Sequence, residues 1–306
     1  EFSGTDFKAT FDKTSGLLTS YLYKKQEYIL DGQGLRPFFW RAPTDNDYGA
    51  QLPLRLKAWK DASYQEPKAE SFRVLQGNDS TTVKVTYRFA QTDARWDITY
   101  RIYANGIIKV DNRFVTENEK APMIPRVGLR MQLQNSFKDL TYYGRGPKEN
   151  YRDRRTSQFI GEYTTPLKTM YEPYIRPQEN NHRTDIYWCA LTDKAYRGLL
   201  FIADSTFEMN VSNYPLESLD SGDSIDNGAP RTAKSNHRHL TDPQPKEMVD
   251  LFIDYRMMGL GGDDSWGAIP HEAYLIRPGR ANAIEYGFSI VPFDKKEDYK
   301  SLILQY

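Results

Sequence analysis

One loop of this sequence is dense in charged and amide side chains, and it contains Arg41, Asp45, Asn46 and Asp47. Carboxylate and amide oxygens at this spacing can bind a hard cation, and an arginine can pair with a carboxylate at the surface of a neighbouring domain. Consecutive Asp and Asn side chains also bond to their own backbone. We therefore expect a structural loop or a domain contact here, in preference to a metal site.

The segment 143–154 gathers polar side chains around a Gly-x-Gly-Pro turn. These side chains are Arg145, Glu149, Asn150, Asp153 and Arg154. Because such a turn holds its neighbours in fixed positions, they could form the rim of a ligand cleft. The alternative is an Arg–Glu ion pair, here called a staple, that links two loops and has a structural role alone. On residue types alone we favour the staple.

A glycine-rich loop ends in a tryptophan near the end of the chain. Its members are Gly259, Gly261, Gly262, Asp263, Asp264 and Trp266. The three glycines allow a sharp turn with positive φ, and the two aspartates can bond back to loop amides. The indole would then present a ring face and an N–H to a ligand. Taken alone, a core tryptophan covering the loop is the more common arrangement.

Histidine is rare, with four in the chain at positions 182, 237, 239 and 271. His237 and His239 alternate along one stretch, and a His-x-His pair can bind zinc. No third ligand follows at a useful spacing. We therefore expect structural, hydrogen-bonded histidines.

The elements that must position these groups are predicted by a period-two alternation of apolar and polar residues. It is clearest in the runs that begin at Val83, Trp96, Ile107, Val127, Phe207, Val249 and Ile284. Such alternation predicts strands with one buried face, as in antiparallel sandwiches. Asn105-Gly106 separates the second run from the third and predicts a hairpin, because both residues accept positive φ.

Helical signals are sparse. Leu52–Ala62 and Asp294–Ser301 each predict a short helix, and the polar stretch 218–238 predicts a long surface loop. Strand and helix blocks do not alternate as they would in a parallel α/β protein. We expect an all-β fold, a large antiparallel β-sandwich that forms a single domain over residues 1–306.

Composition excludes several classes of protein. The 306 residues include 41 Lys+Arg and 41 Asp+Glu, so the basic stripe that nucleic acid demands is missing. No run approaches the roughly 18 apolar residues that span a bilayer.

The single Cys189 lies in an apolar run and is expected in the core. An aromatic share of 14% favours strands and also suits sugar binding. Because the chain begins at Glu1 without a Met, we expect a piece of a longer protein, and its compartment stays open.

Several motifs together resemble the C-terminal domain of the β-galactosidases of glycoside hydrolase family 2. They are the strand-turn-strand at 11–18, Arg-Ala-Pro-Thr-Asp-Asn-Asp at 41–47, Gly-Arg-Gly-Pro-Lys-Glu-Asn-Tyr-Arg-Asp-Arg at 144–154, Met-Tyr-Glu-Pro-Tyr at 170–174, Pro-Gln-Glu-Asn at 177–180, Ser-Asn-His-Arg-His-Leu at 235–240 and Gly-Leu-Gly-Gly-Asp-Asp-Ser-Trp at 259–266. Their order agrees with that of the family over essentially the whole chain. Asn181 departs from it, since the family commonly has Gly there. Asn also tolerates positive φ, so the turn is expected to survive.

The resemblance implies a galactose mutarotase-like supersandwich without the machinery that breaks the bond. In the family, the two catalytic glutamates and the bound Mg²⁺ and Na⁺ belong to a central barrel that precedes this region. Because a retaining glycosidase needs both carboxyls, we expect this chain to be inactive alone and to hold no cofactor. The implied partners are a β-galactoside sugar and the catalytic barrel of the same chain, in a homo-oligomeric, bacterial parent.

The resemblance also implies which residues approach the sugar. The family's tryptophan in Asp-Asp-Ser-Trp reaches the active site as an apolar platform, and it corresponds to Trp266. The candidate substrate-binding residues are Trp266, Asp264, Asp263, Glu179, Asn180, His239, Arg145 and Glu149. No catalytic or metal-binding residue is expected in this chain.

Two other functions remain open. One is an independent carbohydrate-binding module, which would bind sugar in isolation. The other is an aldose 1-epimerase-like enzyme, with His182 and Glu179, or His239 and a nearby carboxylate, as acid and base. Because no epimerase motif matches and fold does not carry function, we favour the accessory domain.

Overall fold

The computed structural model describes residues 1–220, 239–294 and 299–304. The strands in these ranges are β1 (Phe2–Ser3), β2 (Phe7–Phe11), β3 (Leu18–Tyr23), β4 (Gln26–Glu27), β5 (Arg36–Phe38), β6 (Ala69–Gln76), β7 (Ser80–Phe89), β8 (Ala94–Tyr103), β9 (Ile108–Thr116), β10 (Arg126–Gln134), β11 (Phe137–Gly146), β12 (Phe159–Pro166), β13 (Arg183–Asp193), β14 (Gly198–Ser212), β15 (Met248–Met257) and β16 (Ile284–Phe293). The α-helices are α1 (Asp45–Gly49), α2 (Leu52–Arg55), α3 (Lys57–Tyr64), α4 (Leu216–Leu219) and α5 (Tyr299–Ile303). Short 3₁₀ helices lie at Ala90–Thr92, Leu167–Thr169, Glu272–Tyr274 and Arg280–Asn282.

Twelve of the strands form one antiparallel sheet that divides at β14, and β1–β4 form a smaller sheet. The first part of β14, Gly198–Ala203, pairs with β16 and continues through β9, β8, β7 and β6. The second part, Glu208–Ser212, pairs with β15 and continues through β10 to β5. The predicted all-β, antiparallel class is confirmed, and its two layers are branches of one curled sheet.

Side chains from both branches join one buried cluster. Phe39 directly follows β5 of one branch, and its ring centroid lies 5.5 Å from that of Trp96 in β8 and 5.4 Å from that of Phe114 in β9, both in the other branch. Along β8, Trp96, Ile98 and Tyr100 are fully buried and alternate with more exposed residues, as the sequence pattern predicts. Burying each such side chain contributes about 1.5–3 kcal/mol, so this face anchors the fold.

The predicted hairpin at Asn105-Gly106 joins β8 to β9. Its turn is closed by the Gly106 amide, which donates to the Tyr103 carbonyl at 3.0 Å. Only Gly106 has positive φ (+91°), whereas the prediction allowed it for both residues. Asn105 instead contributes its side chain, which accepts from the Ile107 amide at 3.2 Å.

The predicted short helices are present with different bounds. The stretch Leu52–Ala62 forms the two helices α2 and α3. Of the predicted helix Asp294–Ser301, residues from Tyr299 onward belong to α5, and 295–298 lie outside the described residues. The predicted loop 218–238 is described only to Asp220, where its first residues belong to α4, and 221–238 lie outside the described residues. In the described ranges, no helix has both the length and the apolar character needed to cross a membrane.

Candidate functional site

Five of the motifs identified in the sequence meet at a cleft of about 400 Å³. Its lining includes Asn46 from α1, Glu149 and Tyr151 from the Gly-x-Gly-Pro segment, Tyr174 and Glu179 from the two following motifs, and Trp266 from the glycine-rich loop. These residues are far apart in sequence. The fold brings them together because the loops at one end of the long strands converge.

Trp266 is exposed to 69%, so it is not the core tryptophan that residue type alone favours. Its indole rests on Gly49, the last residue of α1. A Cβ added at Gly49 would lie only 2.9 Å from the Cε2 atom of that indole. Glycine at this position therefore permits the close approach that sets the ring's orientation.

Asn46 clamps the glycine-rich loop at both ends. Its Nδ2 donates to the carbonyls of Leu260 and Ala268, each at 2.9 Å, and its Oδ1 accepts from the Gly267 amide at 2.6 Å. A further bond runs from the Gly261 amide to Asp153, at 2.8 Å. The restraint on the loop thus comes from distant segments.

The two aspartates of this loop play a smaller part than predicted. Asp263 faces His271, with 2.8 Å between Oδ2 and Nε2, and Asp264 is exposed. Positive φ occurs at Gly261 and Gly262, as expected, but not at Gly259. Gly259 is instead required by the close approach of Asp153, whose Oδ2 would lie 2.4 Å from an added Cβ.

The Arg41–Asp47 loop is held by its own side chains. The buried guanidinium of Arg41 forms a bidentate ion pair with the Asp47 carboxylate, at 3.0 and 2.7 Å. It also donates to the Met258 carbonyl at 2.8 Å. Asp47 and Thr44 form a capping box at the start of α1. This is the structural loop that the sequence favours, and its Arg41 side chain binds Met258, which directly follows β15.

Glu149 is a hub of hydrogen bonds at the cleft. It accepts the Tyr174 hydroxyl, and its Oε2 accepts the Asn181 amide at 2.6 Å and the Tyr151 hydroxyl at 3.4 Å. Burial, followed by the bond to Glu149, raises the pKa of Tyr174 above its ordinary value. Asn181 has a φ of +66°, so the turn survives the replacement of glycine, as expected.

Glu179 is nearly buried, with 3% of its surface exposed, yet it lines the cleft. Its Oε1 accepts from Asn210 Nδ2 at 2.7 Å and lies 3.6 Å from the Arg126 guanidinium. Its Oε2 is buried and has no hydrogen-bond partner in the described structure. This carboxylate therefore has an acceptor oxygen available beside the cleft.

A buried polar network, which the sequence patterns did not reveal, lies behind the cleft. His182 bridges Asn210 Oδ1 at 2.8 Å and Glu208 Oε2 at 3.0 Å, and its ring stacks on Tyr151 with centroids 5.5 Å apart. The alternation in β14 predicted one buried face, but Glu208 and Asn210, on the other face, are buried too. Polar residues within strands were the available signal, and alternation alone assigns them to solvent.

The remaining candidates lie at other places. Arg145 forms a structural ion pair, as predicted, but its partner is Asp185, at 2.7 Å, and not Glu149. Asn180 is buried, and its carbonyl accepts from Asn210 at 2.9 Å. His239 is exposed, 3.6 Å from Asp242. The structure thus brings Trp266, Glu149 and Glu179 together at the cleft, whereas the residues found to line it do not include Arg145, His239, Asp263 or Asp264.

Metal ligands do not cluster in the described part of the chain. There, no group of three or more His, Cys, Asp or Glu side chains could hold an ion. His237, considered with His239 as a zinc pair, lies outside the described residues. Cys189 is buried in β13, and burial raises the pKa of its thiol, as befits a core residue.

The solved structures that resemble this chain have low sequence identity to it. A TPR-domain containing protein from Parabacteroides distasonis covers 97% of this chain and 47% of its own at 13% identity, with a TM-score of 0.51. A galactose mutarotase related enzyme from Lactobacillus acidophilus covers 96% of this chain and 97% of its own at 10% identity, with a TM-score of 0.49.

Sequence relatives are longer proteins. The chain is 33% identical over 279 residues to a beta-galactosidase of Priestia megaterium, covering 91% of this chain and 25% of that protein. It is 31% identical over 288 residues to a beta-galactosidase of Lactobacillus delbrueckii subsp. bulgaricus, covering 92% and 26%. The chain therefore spans about a quarter of the length of the curated relatives it matches. Residues 3–290 match the family described as beta galactosidase small chain, and the chain belongs to that family.

Proposed function

We propose that this chain is the non-catalytic domain of a β-galactosidase that hydrolyses terminal β-D-galactosides, and that its Trp266 loop forms one wall of the sugar pocket. The observation that carries the proposal is an exposed indole held over a cleft by a clamped loop. Family membership and the span of about a quarter of the relatives support it.

The groups at the cleft suit a neutral sugar. The exposed face of Trp266 can pack against the apolar face of a pyranose. Glu179 Oε2, which lacks a donor in the described structure, can accept a sugar hydroxyl. A buried acceptor left without a donor costs about 1–3 kcal/mol, and a bound hydroxyl would remove that penalty.

We infer that the catalytic carboxyl pair lies in the rest of the enzyme, on which this domain packs. Glycoside hydrolysis needs one carboxyl as acid and a second as nucleophile or base. Glu149 is occupied by the Tyr174 hydroxyl and the Asn181 amide, and Glu179 Oε1 is occupied by Asn210. The Mg²⁺ and Na⁺ of the intact enzyme would likewise be held by that other part.

The test is the activity of the full-length enzyme toward a nitrophenyl β-galactoside. Trp266→Ala is expected to lower kcat/KM roughly tenfold, because it removes the apolar wall. Phe159→Ala is the matched control, since Phe159 is 73% exposed, comparable with Trp266, and does not line the cleft. An unchanged kcat/KM in Trp266→Ala would contradict the proposal.

The purified chain separates this function from its alternatives. It should not hydrolyse the nitrophenyl β-galactoside, should not accelerate galactose mutarotation in a polarimeter, and should bind galactose no more tightly than the millimolar range. Hydrolysis by the chain itself would overturn the accessory role. Accelerated mutarotation would favour an epimerase-like enzyme, and tight binding by calorimetry would favour a carbohydrate-binding module.

A further inference from the structure

A second cleft, of about 700 Å³, opens where the large sheet divides. Within β14, residues 204–206 lie between the part that pairs with β16 and the part that pairs with β15, so they pair with neither. They line this cleft together with residues of β8, β9, β15 and β16. Arg152 lines it as well, whereas the adjacent Tyr151 lines the first cleft, so a single segment separates the two sites.

The negative charges of this second cleft are already compensated. Its four carboxylates have cationic partners in the pairs Asp97–Arg95, Asp111–Arg101, Asp204–Lys109 and Glu285–Arg113. Because each carboxylate has its own counter-ion, the cleft does not present a surplus of negative charge to a ligand.

Arg256 is the exception among the charged residues of the cleft. In the described structure its guanidinium makes no ion pair or hydrogen bond, and its Nε is buried without a partner. The group lies over the Tyr255 ring, 5.1 Å from the centroid. Arg152 uses its Nε to bind Glu208 at 2.5 Å. A guanidinium fork matches the two oxygens of a carboxylate, so the uncompensated charge of Arg256 suits an oxyanion.

Asn112 supplies a second unused donor. It is 3% exposed and lines the cleft. Its Oδ1 accepts from the Trp96 indole at 3.0 Å, and because an indole N–H only donates, this bond fixes the orientation of the amide. The Nδ2 is then a buried donor without a partner in the described structure. Two unsatisfied donors at one cleft point to a ligand that supplies oxygen acceptors.

The other walls suit a hydroxylated ring. The rings of Tyr255 and Tyr286 lie 6.2 Å apart at 48°, which offers an aromatic surface, and Thr99, Ser205 and Thr206 add hydroxyl groups. The volume falls within the range of about 300–1,000 Å³ that small-molecule sites occupy. We propose that this cleft binds a sugar acid of the hexuronate class, with its carboxylate on Arg256 and its ring oxygens near Asn112.

The proposal is tested by isothermal titration of the intact chain with D-galacturonate, D-galactose, galactose 6-phosphate and inorganic phosphate. Galacturonate is expected to bind at least roughly tenfold more tightly than galactose, because only the acid engages Arg256. Arg256→Gln should weaken galacturonate binding by a similar factor, and Arg256→Lys should restore part of it. Arg277→Gln, which removes the same charge from an exposed pair with Glu272, should leave binding unchanged.

Near-ultraviolet circular dichroism establishes that each variant is folded. Equal affinity for galacturonate and galactose, or no effect of Arg256→Gln in a folded protein, would overturn the proposal. Tighter binding of galactose 6-phosphate or inorganic phosphate than of galacturonate would overturn the assignment to a sugar acid. Trp266→Ala is expected to leave galacturonate binding intact, because Trp266 does not line this cleft. A result that contradicts this proposal can therefore be distinguished from one that contradicts the proposed function of the first cleft.

Discussion

At the residue scale, the core of this chain contains a buried arginine–aspartate pair. Arg126 and Asp254 are both fully buried, with 3.2 Å between Nε and Oδ2, and both oxygens of Asp254 lack hydrogen bonds in the described structure. Burial raises the pKa of the Asp254 carboxyl from 3.8 to about 7, although Arg126 and His182 oppose the rise. The carboxyl of Asp254 is therefore mostly protonated in the folded state below neutral pH.

This preference predicts how stability depends on pH. Because the folded pKa is higher than the unfolded pKa, the folded state binds more protons between about pH 4 and pH 7, so the contribution of Asp254 to the free energy of unfolding falls as pH rises through that window. The loss is roughly 4 kcal/mol at most. Asp254→Asn should flatten this part of the pH profile in urea unfolding.

Asp185→Asn is the control of opposite sign. Arg145 and Arg155 outweigh burial and lower the pKa of Asp185, so the wild-type residue stabilises the fold above the unfolded pKa and loses that contribution as pH falls. If the free energy of unfolding of the wild type rises between pH 4 and pH 7 by as much as that of Asp254→Asn, or by more, the interpretation is wrong.

At the element scale, the glycine-rich loop depends on a short helix far away in sequence. α1 provides Asn46, which bonds to three backbone groups of the loop, and Gly49, on which the Trp266 ring rests. The loop has little apolar burial of its own, so its order depends on these polar contacts.

We predict that Asn46→Ala loosens the loop while the sheet stays folded. Three hydrogen bonds of about 1 kcal/mol each are lost, and two carbonyls lose a donor. Hydrogen exchange of the Gly267 amide should accelerate at least roughly tenfold, because that amide donates to Asn46. Asn135→Ala, which removes an exposed hydrogen bond to Glu247 away from the loop, is the matched control. Unaltered exchange at Gly267 would mean that other contacts hold the loop.

At the scale of the whole molecule, the outer face of β11–β13 carries an apolar patch formed by Tyr143, Ile160 and Tyr187. Tyr143 and Tyr187 lie with ring centroids 5.4 Å apart, and all three side chains are exposed to between 39% and 44%. Among the described strands β12 pairs only with β11, so it is an edge strand, and it carries Ile160 of the patch. Exposed apolar patches beside a free edge favour association.

The isolated chain is therefore expected to self-associate at high concentration. Replacing Ile160 and Tyr187 with Ser should lower the association constant in sedimentation velocity at least roughly tenfold, because the apolar area is lost. Tyr196→Ser removes a 75% exposed tyrosine outside the patch and should have no effect. A wild-type chain that stays monomeric at every concentration would contradict this prediction.

The sequence by itself determined the fold class and the strands. Alternation in runs such as Trp96–Ile102, and the turn at Gly106, are local consequences of side-chain period and backbone sterics, so they can be read without the fold. It also singled out Trp266, Glu149 and Glu179 through motifs of a recognisable family. Their shared cleft could not be derived, because contacts across more than a hundred residues depend on how the loops converge.

The tertiary structure alone decided which polar residues are buried. Alternation predicted that Glu208 faces solvent, but it is buried and bonds to His182. A period-two pattern cannot predict this, because it does not show which other segments cover the polar face of a strand. The aspartates expected to brace the Trp266 loop were replaced in that role by Asn46, which lies more than two hundred residues earlier. Unsatisfied donors such as Arg256 Nε emerge only once every neighbour in space is known.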